Sequence, residues 1–147
     1  MAAKAKTKKF SLVIPSQVEE IEQVEALTEK AATHAKFTED EKDSLAIAVT
    51  EAVNNAILHG NKKDPAKHVH VDITSTHDTI RIVIRDEGDG FNPQKIENPL
   101  EPKNLLKESG RGVFIVRSLM DEVHFDFTKG GTELTLVKSR KGRPNPG

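Results

Sequence analysis

The sequence predicts an α/β domain of the α+β type, a two-layer sandwich in which helices cover one face of a mixed, mostly antiparallel sheet. Three observations support this fold class. Each candidate strand alternates apolar and polar residues, which is typical of a sheet with one face in water. Each candidate helix carries a single apolar stripe. The order β-α-α-β-β-loop-α-β-β contains neighbouring strand pairs, and these share a sheet most simply when the helices pack on the same face.

The N-terminal part contains one candidate strand and two candidate helices. Residues 10–14 alternate apolar and polar side chains, and residues 17–35 repeat apolar side chains every three or four positions. Thr38 and Glu41 have the spacing of a capping box, so a second helix is expected to begin there. This helix is expected to end at His59, because the glycine that follows supplies a stop signal.

A β-hairpin follows, and its second strand leads into an acidic turn. Residues 69–73 and 80–84 carry valine and isoleucine at alternate positions, with turn residues between them. Asp86 is in step with the apolar row of the second strand, so its side chain is expected to point to the face that the helices cover. A charged group in that position either enters a pocket or is buried at considerable cost.

The C-terminal part begins with a long segment that has little periodicity. Residues 92–109 contain three prolines, and such a stretch in a compact domain is usually a functional loop or lid. Residues 113–120 have the length and apolar content of a helix that follows glycines. Alternating residues between positions 123 and 136 predict a second hairpin with glycines at its turn.

The composition excludes several kinds of protein. The chain has 147 residues, the size of one domain, and its lack of cysteine excludes disulfides, thiolate metal sites and cysteine nucleophiles. It has six Phe but no Trp or Tyr, so few rings are to spare for stacking on bases, which weighs against recognition of single-stranded nucleic acid. No apolar run approaches the roughly 20 residues that span a bilayer. We therefore expect a cytoplasmic protein without direct contact to nucleic acid or membrane.

The charge distribution indicates the limits of the domain. The net charge is -1, but eight of the 22 basic residues lie within residues 1–9 and 138–147, so the segment between them is acidic. We expect a flexible basic N-terminus at residues 1–9, one domain at residues 10–138 and a flexible basic tail at residues 139–147.

One helix carries three polar residues at successive four-residue steps. In Glu51-Ala-Val-Asn-Asn55-Ala-Ile-Leu-His59-Gly60, the side chains of Glu51, Asn55 and His59 are expected to lie along the flank of the apolar stripe, where they border the core. In isolation, Glu51 and Asn55 are typical of a helix surface. His59 alone is typical of a helix C-terminus, where the helix dipole favours it.

Two glycine-rich turns add a second signal. Asp86-Glu-Gly88-Asp-Gly90 follows a strand, and Gly110-Arg111-Gly112 precedes a helix. Glycine lets backbone amides approach an anion and a helix N-terminus adds a favourable potential, so both turns suit phosphate. Either turn alone is weak evidence, and neither matches the usual phosphate-loop or dinucleotide-binding template.

In this order, and with Gly131-Thr132 in the late hairpin, the motifs resemble those of the GHKL ATPase superfamily, named from gyrase, the heat-shock 90 chaperone, histidine kinases and MutL. The forms Glu-Ala-Val-x-Asn-Ala-x-x-His-Gly, Asp-x-Gly-x-Gly-Phe and Gly-Arg-Gly-Val-Phe-Ile-Val-Arg are most similar to the anti-sigma-factor serine/threonine kinases of bacterial partner switching. The resemblance covers residues 10–138 and implies a Bergerat-type ATP-binding fold.

The resemblance also implies a role for each motif residue. Glu51 stands at the position of the general base, which accepts a proton from the attacking hydroxyl, and Asn55 at the position of an Mg²⁺ ligand. Asp86 would accept a hydrogen bond from the adenine amino group, with support from Thr132. The implied ATP-binding set is completed by His59, whose role stays open, and by Gly88, Gly90, Gly110, Arg111 and Gly112.

The implied activity is that of an ATP-dependent serine/threonine protein kinase that acts as an anti-sigma factor. Its cofactors would be ATP and Mg²⁺, and its partners a sigma factor, an anti-sigma-factor antagonist and a second copy of itself. Two alternatives are an ATP-binding partner switch without significant kinase activity and a histidine-kinase-like ATPase domain. The second is disfavoured because only about 37 residues precede the capping box, too few for a dimerisation helix pair with a phosphoacceptor histidine.

Overall fold

The computed structural model describes residues 7–88, 108–128 and 130–140, and within these ranges the chain forms five strands and three α-helices. A short 3-10 turn, Val18–Glu20, precedes the first helix, and a π-helical turn, Ala56–Gly60, continues the second. In chain order the elements are β1 (Lys8–Pro15), α1 (Ile21–His34), α2 (Glu39–Asn55), β2 (His68–Ser75), β3 (Thr79–Arg85), α3 (Glu108–Leu119), β4 (Glu122–Thr128) and β5 (Gly131–Ser139).

The strands form one sheet in the order β1-β2-β3-β5-β4, and all four neighbouring pairs are antiparallel. The two predicted hairpins, β2-β3 and β4-β5, are confirmed. They are joined through β3 and β5, because β5 lies between β3 and β4. This pairing sets Arg85 opposite Glu133, so the residues that follow β3 lie beside the start of β5.

The core lies between the sheet and the helices, and it is aliphatic as the composition predicts. Strand β3 alternates buried and more exposed side chains along its length, so one face of the sheet packs against the helices. Complete burial of one such aliphatic side chain contributes roughly 1.5–3 kcal/mol. The largest fully buried side chains are Ile14, Leu45, Ile57, Ile73, Ile80, Ile82, Ile84 and Leu136.

Helix α2 begins with the predicted capping box. The Glu41 amide donates to Thr38 Oγ1 at 3.2 Å, and the Thr38 amide donates to Glu41 Oε1 at 2.8 Å. These two bonds satisfy amides that have no partner inside the helix, which is worth about 1 kcal/mol. The start of the helix that carries Glu51 and Asn55 is therefore fixed locally by sequence.

The helix that begins at Glu39 ends for a different reason from the one predicted. Gly60 does not act as a left-handed stop, since Gly131 is the glycine with positive φ among the described residues. Instead the last turn widens into a π-helix, in which the Asn61 amide donates to the carbonyl of Ala56, five residues earlier, at 2.8 Å. A glycine is needed inside this turn because a Cβ at position 60 would lie 2.1 Å from the side chain of Asp86.

The position of the second glycine turn also needs correction. Gly110-Arg111-Gly112 lies within the first turns of α3 rather than before the helix, because α3 already begins at Glu108. Packing of α3 against α2 offsets the low helix propensity of glycine. At the other end of α3, Lys138 Nζ donates to the carbonyl of Leu119 at 2.9 Å.

Several predicted segments lie outside the described residues. These are most of the basic ends, residues 1–6 and 141–147, and most of the predicted lid, residues 92–107. Within the described part of the chain, no helix is long and apolar enough to cross a membrane.

Candidate functional site

The carboxylate of Asp86 is the centre of the site. Its side chain points to the helix-covered face as the strand parity predicts, and the residue is 5% exposed. Oδ1 accepts hydrogen bonds from the amides of Gly88 and Thr132, each at 3.0 Å. Oδ2 accepts no hydrogen bond from the described residues. The site therefore holds a buried carboxylate with one saturated oxygen and one oxygen that can accept from a ligand.

Three glycines make room for this carboxylate. A Cβ on Gly60 would lie 2.1 Å from Asp86 Oδ2, and a Cβ on Gly131 would lie 2.0 Å from the Asp86 carbonyl oxygen. A Cβ on Gly88 would lie 2.2 Å from the carbonyl oxygen of Gly60. Gly131 also has a φ of +143°, which strains any other residue. Glycines from the π-helical turn after α2, from the turn after β3 and from β5 thus converge on one side chain.

The start of β5 forms the second wall of the site. The Asp86 amide donates to the carbonyl of Thr132 at 3.1 Å, while the Thr132 amide donates back to the Asp86 carboxylate. Thr132 is itself buried. The structure therefore brings together Asp86 and Thr132, which are 46 positions apart in sequence.

Asn61 belongs to the same region, and the sequence gives no sign of it. The residue is 1% exposed, and its side chain makes three hydrogen bonds. Nδ2 donates to Ser16 Oγ at 2.8 Å and to the His68 carbonyl at 2.9 Å, and Oδ1 accepts from the Glu87 amide at 2.7 Å. An asparagine after a glycine reads as an ordinary turn residue, so sequence patterns alone do not identify this role.

Glu87, next to the central carboxylate, is held on the outer side of the site. Its pKa is lowered from the ordinary value, chiefly because His70 Nε2 donates to Oε2 at 2.6 Å and further because the His68 amide donates to Oε1 at 2.9 Å. The Glu87 side chain is 37% exposed, so solvent screens these interactions. The Glu87 side chain is thus bonded to both the backbone and a side chain of β2.

The polar row of α2 is only partly retained. Glu51 and Asn55 are partly exposed on the helix, whereas His59 is exposed in the π-helical turn. The wider turn breaks the α-helical spacing after Asn55, and His59 therefore does not continue the row. None of these three side chains makes a hydrogen bond or ion pair with the described residues. The end of this helix does reach the central carboxylate, since Gly60 touches Asp86.

A known protein family matches most of the chain. The family described as histidine kinase-like ATPase domain matches residues 14–138. This chain belongs to that family.

Among individual relatives of this ATPase-domain chain, the serine-protein kinase RsbW of Bacillus subtilis is 30% identical over 139 residues, which cover 90% of this chain and 86% of the relative. The anti-sigma F factor of Anoxybacillus flavithermus is 36% identical over 104 residues, which cover 69% of this chain and 71% of the relative.

A solved structure agrees with the fold. The histidine kinase domain of a blue-light activated histidine kinase from Erythrobacter litoralis EL346 superposes with a TM-score of 0.55 at 16% identity. The match covers 86% of this chain and 61% of that chain, and at this identity it supports the fold alone.

The remaining predicted site residues of this ATPase domain are described only in part. Gly90 lies outside the described residues. The backbone of residues 110–112 lies in α3, which packs against the helix that carries Glu51. Within the described ranges, no group of three or more His, Cys, Asp or Glu side chains could hold a metal ion.

Proposed function

We propose that this protein is an ATP-dependent serine/threonine protein kinase that acts as an anti-sigma factor, binding a sigma factor and phosphorylating an antagonist of that binding. The observation that carries the proposal is the half-saturated, buried carboxylate of Asp86 in a chain of the histidine kinase-like ATPase family. Relatives named as a serine-protein kinase and an anti-sigma factor support the choice of activity and partner. Residues 10–138 would form the kinase domain, between two basic ends.

Adenine fits the chemistry of the central carboxylate. The exocyclic amino group of adenine is a hydrogen-bond donor, and Asp86 Oδ2 is an acceptor without a donor among the described residues. Guanine presents a carbonyl oxygen at the same position, which a carboxylate repels. The fixed amides of Gly88 and Thr132 prevent the carboxylate from turning to avoid the ligand. Asp86 would therefore select adenine over guanine.

The phosphates would lie toward the helices, where the chain offers two kinds of group. The first turns of α3 contain Gly110 and Gly112, and amides at the start of a twelve-residue helix attract anions. Arg111 in the same turns would add positive charge. Asn55 offers a side-chain oxygen, the kind of hard ligand that Mg²⁺ accepts beside phosphates and water. Bound Mg²⁺ would neutralise charge on the phosphates.

Glu51 would act as the general base. In the transfer, the hydroxyl oxygen of a serine or threonine forms a bond to the γ-phosphorus, and the bond from that phosphorus to the bridging oxygen of ADP breaks. The proton of the hydroxyl passes to the Glu51 carboxylate. Glu51 is partly exposed and makes no bond to the described residues, so its carboxylate is available to a protein substrate.

The kinase activity can be tested with a candidate antagonist protein whose gene lies near the gene for this chain. The purified proteins are incubated with Mg-ATP, and intact mass reports the addition of a phosphoryl group. Wild type should phosphorylate a serine or threonine of the antagonist. Glu51→Gln should bind ADP normally without transferring phosphate, because the amide cannot accept the proton. Asp86→Asn should lose ADP binding, because its amide group faces the adenine amino group as a second donor.

Other outcomes separate the alternatives. Normal ADP binding without phosphate transfer by wild type would favour a partner switch without kinase activity. Phosphate on a histidine would favour a histidine-kinase-like domain. Binding to a candidate sigma factor is tested separately by gel filtration, which also reports whether the protein is the proposed homodimer. Failure to co-elute with any sigma factor would refute the anti-sigma role while leaving the kinase intact.

A further inference from the structure

We propose that Asn61 is a positioning residue for nucleotide recognition, which acts through the backbone of Glu87 to hold the Asp86 carboxylate in the orientation that accepts from adenine. The inference rests on the proposed function, since it concerns the same adenine contact. It assigns a task to a buried side chain that none of the sequence motifs includes.

The hydrogen bonds of Asn61 fix the orientation of its amide group. Two acceptors, Ser16 Oγ and the carbonyl of His68, lie 2.8 and 2.9 Å from Nδ2. Ser16 Oγ donates its own proton to the carbonyl of Lys67 at 2.7 Å, so it must accept from Asn61. Oδ1 is therefore the atom that faces the Glu87 amide, at 2.7 Å. Both hydrogens of Nδ2 are therefore donated, and Oδ1 accepts from the Glu87 amide.

The Glu87 amide belongs to the peptide unit that directly follows Asp86. On the opposite side, the Asp86 amide and carboxylate are both bonded to Thr132. Between these two anchors, the Gly88 amide donates to Asp86 Oδ1. Asn61 therefore fixes the peptide plane whose rotation would move the Gly88 amide away from the carboxylate. Without Asn61, the Gly88 amide, one of the two donors that orient the Asp86 carboxylate, is no longer held in place.

The outer contacts of Glu87 cannot replace this anchor. His68 and His70 bind the Glu87 carboxylate and not its amide, and that side chain is partly exposed. They restrain the position of the side chain and make no hydrogen bond to the peptide plane between Asp86 and Glu87. Among the described residues, the Glu87 amide of this plane donates to Asn61 Oδ1, from the side opposite to β5.

Asn61 also joins the end of β1 to the start of β2, so a test must separate recognition from stability. Ser16→Ala provides a matched control, because it removes a partner of Asn61 Nδ2 on the side away from Asp86. Both Asn61→Ala and Ser16→Ala disturb the same buried network. Only the first removes the acceptor of the Glu87 amide.

The experiment measures ADP and GDP dissociation constants of the folded proteins by calorimetry, after thermal unfolding has located the range in which each is folded. Asn61→Ala should bind ADP about tenfold more weakly, the change expected when one oriented hydrogen bond is lost. Its preference for ADP over GDP should fall by a similar factor. Ser16→Ala should melt at a lower temperature than wild type but bind ADP within about twofold of wild type. At saturating ATP, Asn61→Ala should transfer phosphate at about the wild-type rate, so that KM changes and kcat does not.

Two results would overturn the inference alone: ADP affinity of Asn61→Ala equal to that of wild type, or equal losses of affinity in Asn61→Ala and Ser16→Ala. Absence of ADP binding by wild type would overturn the proposed function and this inference with it. If Asn61→Ala does not fold, Asn61→Asp keeps an acceptor for the Glu87 amide. It should bind ADP within about threefold of wild type despite lower stability. A loss as large as that of Asp86→Asn would overturn the inference.

Discussion

Replacement of Gly60 by alanine tests the packing around the central carboxylate. The new Cβ would lie 2.1 Å from Asp86 Oδ2 and 2.4 Å from its Cγ, whereas ordinary contact begins at 3.4 Å. The carboxylate cannot retreat freely, because its other oxygen is bonded to the amides of Gly88 and Thr132. Either these bonds break or the end of α2 moves away from β3.

The size of the effect follows from three contributions. Overpacking of this kind costs about 1–3 kcal/mol, and a hydrogen bond to a charged group is worth about 1.5–3 kcal/mol when it is lost. Alanine recovers up to about 1 kcal/mol, because it favours helix over glycine. We therefore expect Gly60→Ala to lower the free energy of unfolding by about 1.5–5 kcal/mol.

Urea unfolding of wild type and Gly60→Ala measures this difference, and ADP titration of the folded protein should show at least about tenfold weaker binding because Asp86 is displaced. Gly130→Ala is the matched control, since a Cβ there meets nothing within 4 Å, and its stability should stay within about 0.5 kcal/mol of wild type. Wild-type stability in Gly60→Ala, or equal losses in the two variants, would refute the steric account.

Three further predictions concern the scaffold. Thr38→Ala should lower the free energy of unfolding by about 1 kcal/mol in thermal or urea unfolding, while Thr38→Ser should retain most of it. Lys138→Met keeps the apolar stem but removes the charged donor to the Leu119 carbonyl, so it should lower the free energy of unfolding by about 1–2 kcal/mol. It should also speed amide exchange at the end of α3, and unchanged exchange would contradict this. The pKa of Glu87 is lowered by its bond from His70, so this carboxylate stabilises the fold above its ordinary pKa of 4.5 and the contribution disappears as pH falls through the lower folded value. The stability difference between wild type and Glu87→Gln should therefore shrink as the pH is lowered below 4.5, and a difference independent of pH in that range would exclude this role.

The parts of the fold that depend on local chemistry were predictable from sequence. The capping box of Thr38 and Glu41 requires only a spacing of three, and the hairpins require only alternation. The inward direction of Asp86 followed from its parity with the apolar row of β3. Each of these features is decided by residues within a few positions of one another.

The features that were missed depend on contacts between distant segments. The insertion of β5 between β3 and β4 is set by pairing across the sheet, which no local pattern reports. Gly60 is required by the nearby Asp86 and not by its own backbone angles. Asn61 has its role because the end of β1, the start of β2 and the turn after β3 meet around it. The π-helical turn arises in a stretch whose spacing suits an ordinary α-helix.

The insertion of β5 between β3 and β4 would couple occupancy of the proposed nucleotide site to the lifetime of the sheet. Asp86 follows one hairpin and Thr132 belongs to the other, so a ligand held by both bridges the place where the hairpins meet. A ligand at a hundred times its dissociation constant adds about 2.7 kcal/mol to the stability of the state that binds it. The nucleotide concentration would then govern how often β3 and β5 separate, and amide exchange along these two strands would slow as that concentration rises.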